Sequence, residues 1–151
     1  MTDDTITTTD ERFMRLAIDE AQRAADEDEV PIGAVIVTRT GQVIAKAHNL
    51  TERLGDVTAH AEMQALTAAA AALGGKYLPD CTLYVTVEPC LMCAGALAWA
   101  QIGRIVYAAA DDKRGFSRLA PRCLHHKTEL KSGVMAEEAA ELMRRFFKSK
   151  R

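Results

Sequence analysis

Apolar residues recur at helical spacing from Phe13 through Leu16, Ala17 and Ala21 to Ala24. Thr8 with Glu11 has the form of a capping box, so the first predicted element is a helix ending near Asp26. Ile32 to Thr38 and Val43 to His48 are runs of β-branched and apolar residues separated by Arg39, Thr40 and Gly41, which predicts a β-hairpin. Ala59 to Leu73 is Ala-rich and meets Gly74 and Gly75, a helix with a marked stop. Thr82 to Val87 reads as a strand. Pro89 suits the first turn of a helix, and the run to Ala100 is apolar on all sides, which predicts a buried helix. Arg104 to Ala109 is a further strand. A short helix is expected around Pro121 to His126, a brief strand near Glu129 to Lys131, and a last helix from Ala136 to Lys148. Alternation of this kind predicts an α/β fold with a mostly parallel sheet between helices and one antiparallel hairpin at the start. In such sheets ligands bind at the carboxyl ends of the strands, where the helices at Ala59 and Pro89 begin.

The 151 residues, 48% of them apolar, suit one domain, expected from residue 9 to 151 after a loose polar tail at 1–8. No apolar run reaches the roughly 18 residues that span a bilayer, and the first twenty residues are acidic and Thr-rich, so the chain is read as soluble and cytoplasmic. The net charge of −2 hides an asymmetry. Residues 1–30 hold ten acids and three bases, whereas residues 113–151 hold eleven bases and four acids. Arg144, Arg145, Lys148, Lys150 and Arg151 crowd the last eight positions with no acid among them, a cluster suited to phosphates; singly, each is an ordinary cation at a helix end.

Four cysteines are too few and too unevenly spaced for a disulfide scaffold, but Cys90 and Cys93 form a CxxC pair. Cys90 and Cys93, three apart at one helix start, can grip one ion, and His60, at another helix start, can reach it. Three ligands leave a fourth position for water, the mark of a catalytic rather than a closed structural zinc site. Two helix N-termini aimed at the ion favour its thiolates, and Glu62 beside it can take a proton and return it to a leaving group. Each piece has an ordinary explanation alone: a redox or structural CxxC, a capping histidine, a glutamate on the helix dipole. Their order and context together select the catalytic reading. Cys81 and Cys123 are expected to be buried, unreactive thiols.

His60-Ala61-Glu62 followed by Pro89-Cys90-Leu91-Met92-Cys93 is the H-x-E, P-C-x-x-C pattern of zinc nucleobase deaminases. From about Phe13 to Ala109 the chain resembles the cytidine/deoxycytidylate deaminase-like superfamily, and within it the bacterial tRNA adenosine deaminases. Glu29 to Ala34, Thr58 to Glu62 and Thr86 to Ala96 are similar to that family's segments. The resemblance implies a three-layer α/β/α sandwich with a five-stranded mixed sheet, a Zn2+ cofactor on His60, Cys90 and Cys93, and Glu62 as proton shuttle. It further implies Asn49 as a hydrogen-bonding contact to the flipped base, Val30 and Ala61 as pocket walls, and a homodimer to which Trp99 and Leu97 would contribute. Phe146 and Phe147 match a family aromatic pair. After Asp111 the resemblance weakens: the loop through Ser117 matches only at Lys113 and Gly115, and the stretch around His125, His126 and Lys127 is altered.

The expected function is conversion of the wobble adenosine of a tRNA anticodon to inosine with release of ammonia, the basic C-terminal segment holding the anticodon stem. Two alternatives stay open. One keeps the chemistry on a free guanine, cytosine or cytidine-type compound. The other is a non-catalytic structural-zinc module with Cys81 or Cys123 as fourth ligand.

Overall fold

The computed structural model describes the backbone of residues 3–150 and the side chains of 9–150. Eleven elements follow in order: α1 (Asp3–Asp26), β1 (Gly33–Thr38), β2 (Val43–His48), α2 (Thr51–Leu54), α3 (Ala61–Leu73), β3 (Cys81–Val87), α4 (Leu91–Trp99), β4 (Arg104–Ala109), α5 (Phe116–Leu119), β5 (Glu129–Ser132) and α6 (Ala136–Ser149). The sheet order is β2-β1-β3-β4-β5. β1 is antiparallel to both neighbours, while β3 pairs with β4 and β4 with β5 in parallel. Four strands therefore run one way and β1 alone opposes them. The hairpin forms one side of the sheet, with β2 at the edge and β1 between β2 and β3, and the sheet is the expected five-stranded mixed one.

Strand alternation explains the two cores. On one face Ala34, Ile36, Leu83, Val85, Ile105 and Tyr107 pack with Ala65 and Ala69 of α3 and Ala94 and Leu97 of α4. On the other, Val35, Val37, Tyr84, Val106 and Ala108 pack with Phe13, Met14 and Ala17 of α1 and Ala139 of α6. Neighbouring positions point to opposite sides of a pleated strand, so a sheet covered on both faces needs continuous apolar runs. The result is a helix, sheet, helix sandwich.

Several boundaries differ from the sequence reading. Residues 1–2 lie outside those described, and the described backbone is helical from Asp3, five residues ahead of the expected cap at Thr8. The short helix expected at Pro121–His126 lies instead at Phe116–Leu119. Proline drives its predecessor out of the helical region, and Ala120, at φ −151°, ends α5. The four-residue α2 had no periodic signal. α4 is not buried all round: Cys93, Ala94 and Leu97 face the core, while Leu91, Met92 and Trp99 are exposed.

Candidate active site and metal centre

α3 follows β2, and α4 follows β3. These strands point the same way, so both helix N-termini meet at one edge of the sheet. His60 and Cys90 occupy the two N-cap positions in extended backbone conformation, and neither makes a side-chain capping bond. Residues at an N-cap ordinarily turn back to satisfy their own helix. Here both turn towards each other. His60 Nδ1 lies 3.6 Å from Cys90 Sγ and 3.5 Å from Cys93 Sγ.

Those separations test the metal. A tetrahedral zinc with bonds of about 2.3 Å to sulfur and about 2.0–2.1 Å to nitrogen sets its N and S ligands roughly 3.6 Å apart. The three donors fit. Among the described residues they form the only group of three or more such ligands within mutual reach, and neither Cys81 nor Cys123 joins it. The four-ligand structural module is overturned on that ground. Cys81 and Cys123 belong to the apolar core on the α3–α4 face instead.

Without a cation between them the two sulfurs cannot both ionise at neutral pH. The Cys90 thiol is drawn down to about 5, chiefly by a hydrogen bond from Cys93, and the Cys93 thiol is pushed up by its neighbouring thiolate and by burial. One ion held by both removes that conflict. Glu62, in the first turn of α3, is 3% exposed, and its Oε1 has no hydrogen-bond partner. Burial pushes its carboxyl up to about 7. A buried, unpartnered carboxylate oxygen beside an open ligand set marks a reactive position better than a structural one.

These groups floor a cavity of about 350 Å³. Val30, Asn49 and Ala61, the three residues expected at the base, all line it. Asn49 also serves the turn after β2: its Oδ1 accepts from the Thr51 N–H at 3.2 Å and its Nδ2 donates to the Val30 carbonyl at 3.5 Å. The far wall comes from α6, where Met143 and Phe147 stand four residues apart and so share one helix face. Phe146 points elsewhere, into a larger cleft of about 660 Å³. That cleft holds no metal-ligand set, and two of its acids are engaged by its own cations, Glu27 by Arg53 and Asp28 by Lys150. The chemistry therefore belongs to the smaller cavity.

Two buried glutamates were not singled out from the sequence. Glu29 accepts the Glu52 and Arg53 N–H groups at 2.9 and 2.7 Å and so holds the first turn of α2 beside Asn49. Glu88 does the same for the loop after β4, which brings Asp111 and Arg114 to the cavity. Glu88 directly precedes Pro89 and Glu29 stands two residues before Pro31, but a glutamate near a proline is too common a pattern to have marked them. The basic end of α6 is partly neutralised: Arg144 pairs with Glu137 and Glu141, and Lys150 with Asp28. Arg151 lies outside the described residues.

Residues 7–109 match the model of the cytidine and deoxycytidylate deaminase zinc-binding region. The chain is 48% identical to a tRNA-specific adenosine deaminase of Agrobacterium fabrum (strain C58), over 92% of this chain and 94% of that one. A structure from a study of A-to-I editing by tRNA:A34 deaminases superposes with a TM-score of 0.81 at 46% identity, covering 87% of this chain and 98% of that one. A guanine deaminase from Nitrosomonas europaea superposes with a TM-score of 0.79 at 25% identity, covering 90% and 83%. With its ligand triad, its buried glutamate and this likeness over most of its length, the chain belongs to the cytidine and deoxycytidylate deaminase family of zinc-dependent hydrolytic deaminases.

Proposed function

We propose that the protein converts the adenosine at the wobble position of a tRNA anticodon to inosine, taking up water and releasing ammonia. The carrying observation is the unpartnered Oε1 of buried Glu62 beside the ligand triad, at the floor of a base-sized cavity. The choice of substrate is supported by the activity named for the relatives at 46–48% identity.

His60, Cys90 and Cys93 hold the zinc, and the metal, when bound, supplies Lewis-acid activation of water. Glu62 does the proton work. Its buried carboxylate can take a proton from water at Oε1 and deliver it to the purine ring nitrogen and then to the 6-amino group, which leaves as ammonia while the water oxygen takes its place. Val30 and Ala61 confine the base. The Asn49 amide, with a donor and an acceptor side by side, addresses the edge of the purine. A loop base is already partly unstacked, which lowers the cost of extruding it into a cavity.

The catalytic unit is the domain from residue 9 to 151, placed in the cytoplasm where tRNA is available; no described helix is long and apolar enough to cross a membrane. A homodimer is supported by Trp99, which stands 84% exposed on α4 with Leu91 and Met92 also uncovered. Leu97 takes no part, because it is fully buried in the core.

The test is zinc-loaded protein against an anticodon stem-loop RNA with adenosine at the wobble position, beside free guanine, adenosine and cytidine. Inosine is expected only in the RNA. Ammonia release from free guanine without inosine in the RNA would replace this reading with that of a free-base deaminase.

A further inference from the structure

Glu88 stands between the last residue of β3 and Pro89, and it is 4% exposed. A carboxylate so buried needs a cation or several donors to offset its lost hydration. Its partners are not cations but three donors from one loop. The Asp111 N–H reaches Oε1 at 3.1 Å, while the Ser117 N–H and hydroxyl reach Oε2 at 3.0 and 2.6 Å.

The rest of the loop is fitted to the same group. A Cβ on Gly115 would stand 2.4 Å from Glu88 Cδ and 2.5 Å from each carboxylate oxygen, so any side chain there would displace the carboxylate from its donors. Gly115 forms a β-bridge with Cys90, and the Phe116 N–H donates to the Pro89 carbonyl at 3.0 Å. One end of the loop is thus tied to the segment that carries a metal ligand. Its start and middle bring Asp111 and Arg114 to the cavity.

We propose that Glu88 is a positioning residue: its buried carboxylate sets the Asp111–Ser117 loop at the rim of the cavity, and so governs how firmly substrate is held, without moving protons itself. The kinetic part rests on the reading of this cavity as the wobble-base pocket. Glu88→Gln keeps the shape but replaces one acceptor oxygen by an NH₂ group that faces an N–H donor, so at least one anchoring hydrogen bond is lost.

The experiment compares zinc-loaded wild type, Glu88→Gln and Ser117→Ala by amide hydrogen exchange, zinc content and steady-state kinetics on the wobble-adenosine stem-loop. In Glu88→Gln, exchange across residues 111–117 should accelerate about tenfold or more, with α3 and α4 changed less than about threefold and one zinc per chain retained. KM should rise about tenfold with kcat held within about threefold. Ser117→Ala, which removes one donor and leaves the charge, should show the same pattern at about threefold. Wild-type exchange in the loop, loss of zinc, or a fall in kcat at constant KM would overturn the proposal. Should Glu88→Gln fail to fold, Ser117→Ala decides alone: loop exchange about threefold faster supports the role, and wild-type exchange refutes it. The exchange measurement needs no substrate, so a wild type inactive on the RNA would count against the substrate and leave the loop anchor to be judged on its own.

Discussion

Glu62 and Asp10 are both buried acids, 3% and 1% exposed, and their surroundings push them in opposite directions. Glu62 has an unpartnered oxygen and a raised carboxyl. Glu62→Gln should therefore keep one zinc per chain and lose activity by a factor of about 10²–10⁴, read by elemental analysis beside inosine formation. Equal activity in the two proteins would remove Glu62 from the mechanism. Asp10 instead receives two bonds from Arg104 at 2.8 and 2.9 Å, one from Lys131 at 3.0 Å and one from the Tyr84 hydroxyl at 2.8 Å. Burial opposes its charge, but these bonds outweigh it and lower its carboxyl to about 2. A folded-state value below the unfolded one adds stability that is complete above about pH 4 and is lost as pH falls towards 2. The wild type should thus lose about 2 kcal/mol over that interval, and Asp10→Asn should show less of that loss and a lower melting temperature at pH 7. Parallel acid-unfolding curves for the two proteins would contradict this.

The packing of α1 on β1 turns on one glycine. A Cβ at Gly33 would come within 2.0 Å of the Ala17 carbonyl oxygen and 2.5 Å of the Ala21 nitrogen, both backbone atoms of α1 that cannot swing aside. Gly33→Ala should cost about 3 kcal/mol or prevent folding, checked by thermal unfolding followed by circular dichroism. A melting temperature unchanged within a degree would mean that the helix and strand are not held this close. Most elements were legible because their periodicity is local: the run from Phe13 to Ala24, the hairpin around Gly41, and the stop of α3 at Gly74, where φ is +71°. α5 was misplaced because a proline that can open a helix was read without the alanine before it, whose backbone the proline forces out of helix.

Charge and exposed surface are properties of the assembled chain. Trp99 at 84% exposure is the largest apolar side chain left open, and it stands on the same helix as exposed Leu91 and Met92. Light scattering should give twice the 16.5 kDa chain mass for the wild type and a single chain mass for Trp99→Glu. A monomeric wild type would remove the dimer. Much of the basic C-terminal cluster is spent within the chain, on Glu137, Glu141 and Asp28. Lys148, exposed in the last turn of α6, is better placed to meet phosphate, and Lys148→Ala should lower the slope of log affinity for the stem-loop against log salt by about one. An unchanged slope would place the RNA elsewhere. The ligand triad and the proton-shuttle candidate could be read from the linear chain because His60, Glu62, Cys90 and Cys93 sit at fixed spacing on two helix starts, a matter of local backbone geometry. The cavity wall from Met143 and Phe147, the loop anchors Glu29 and Glu88, and the division of α4 into buried Leu97 and exposed Trp99 could not. Each depends on which distant segment lies opposite, and that is settled only when β1 enters between β2 and β3 and the helices close over both faces of the sheet.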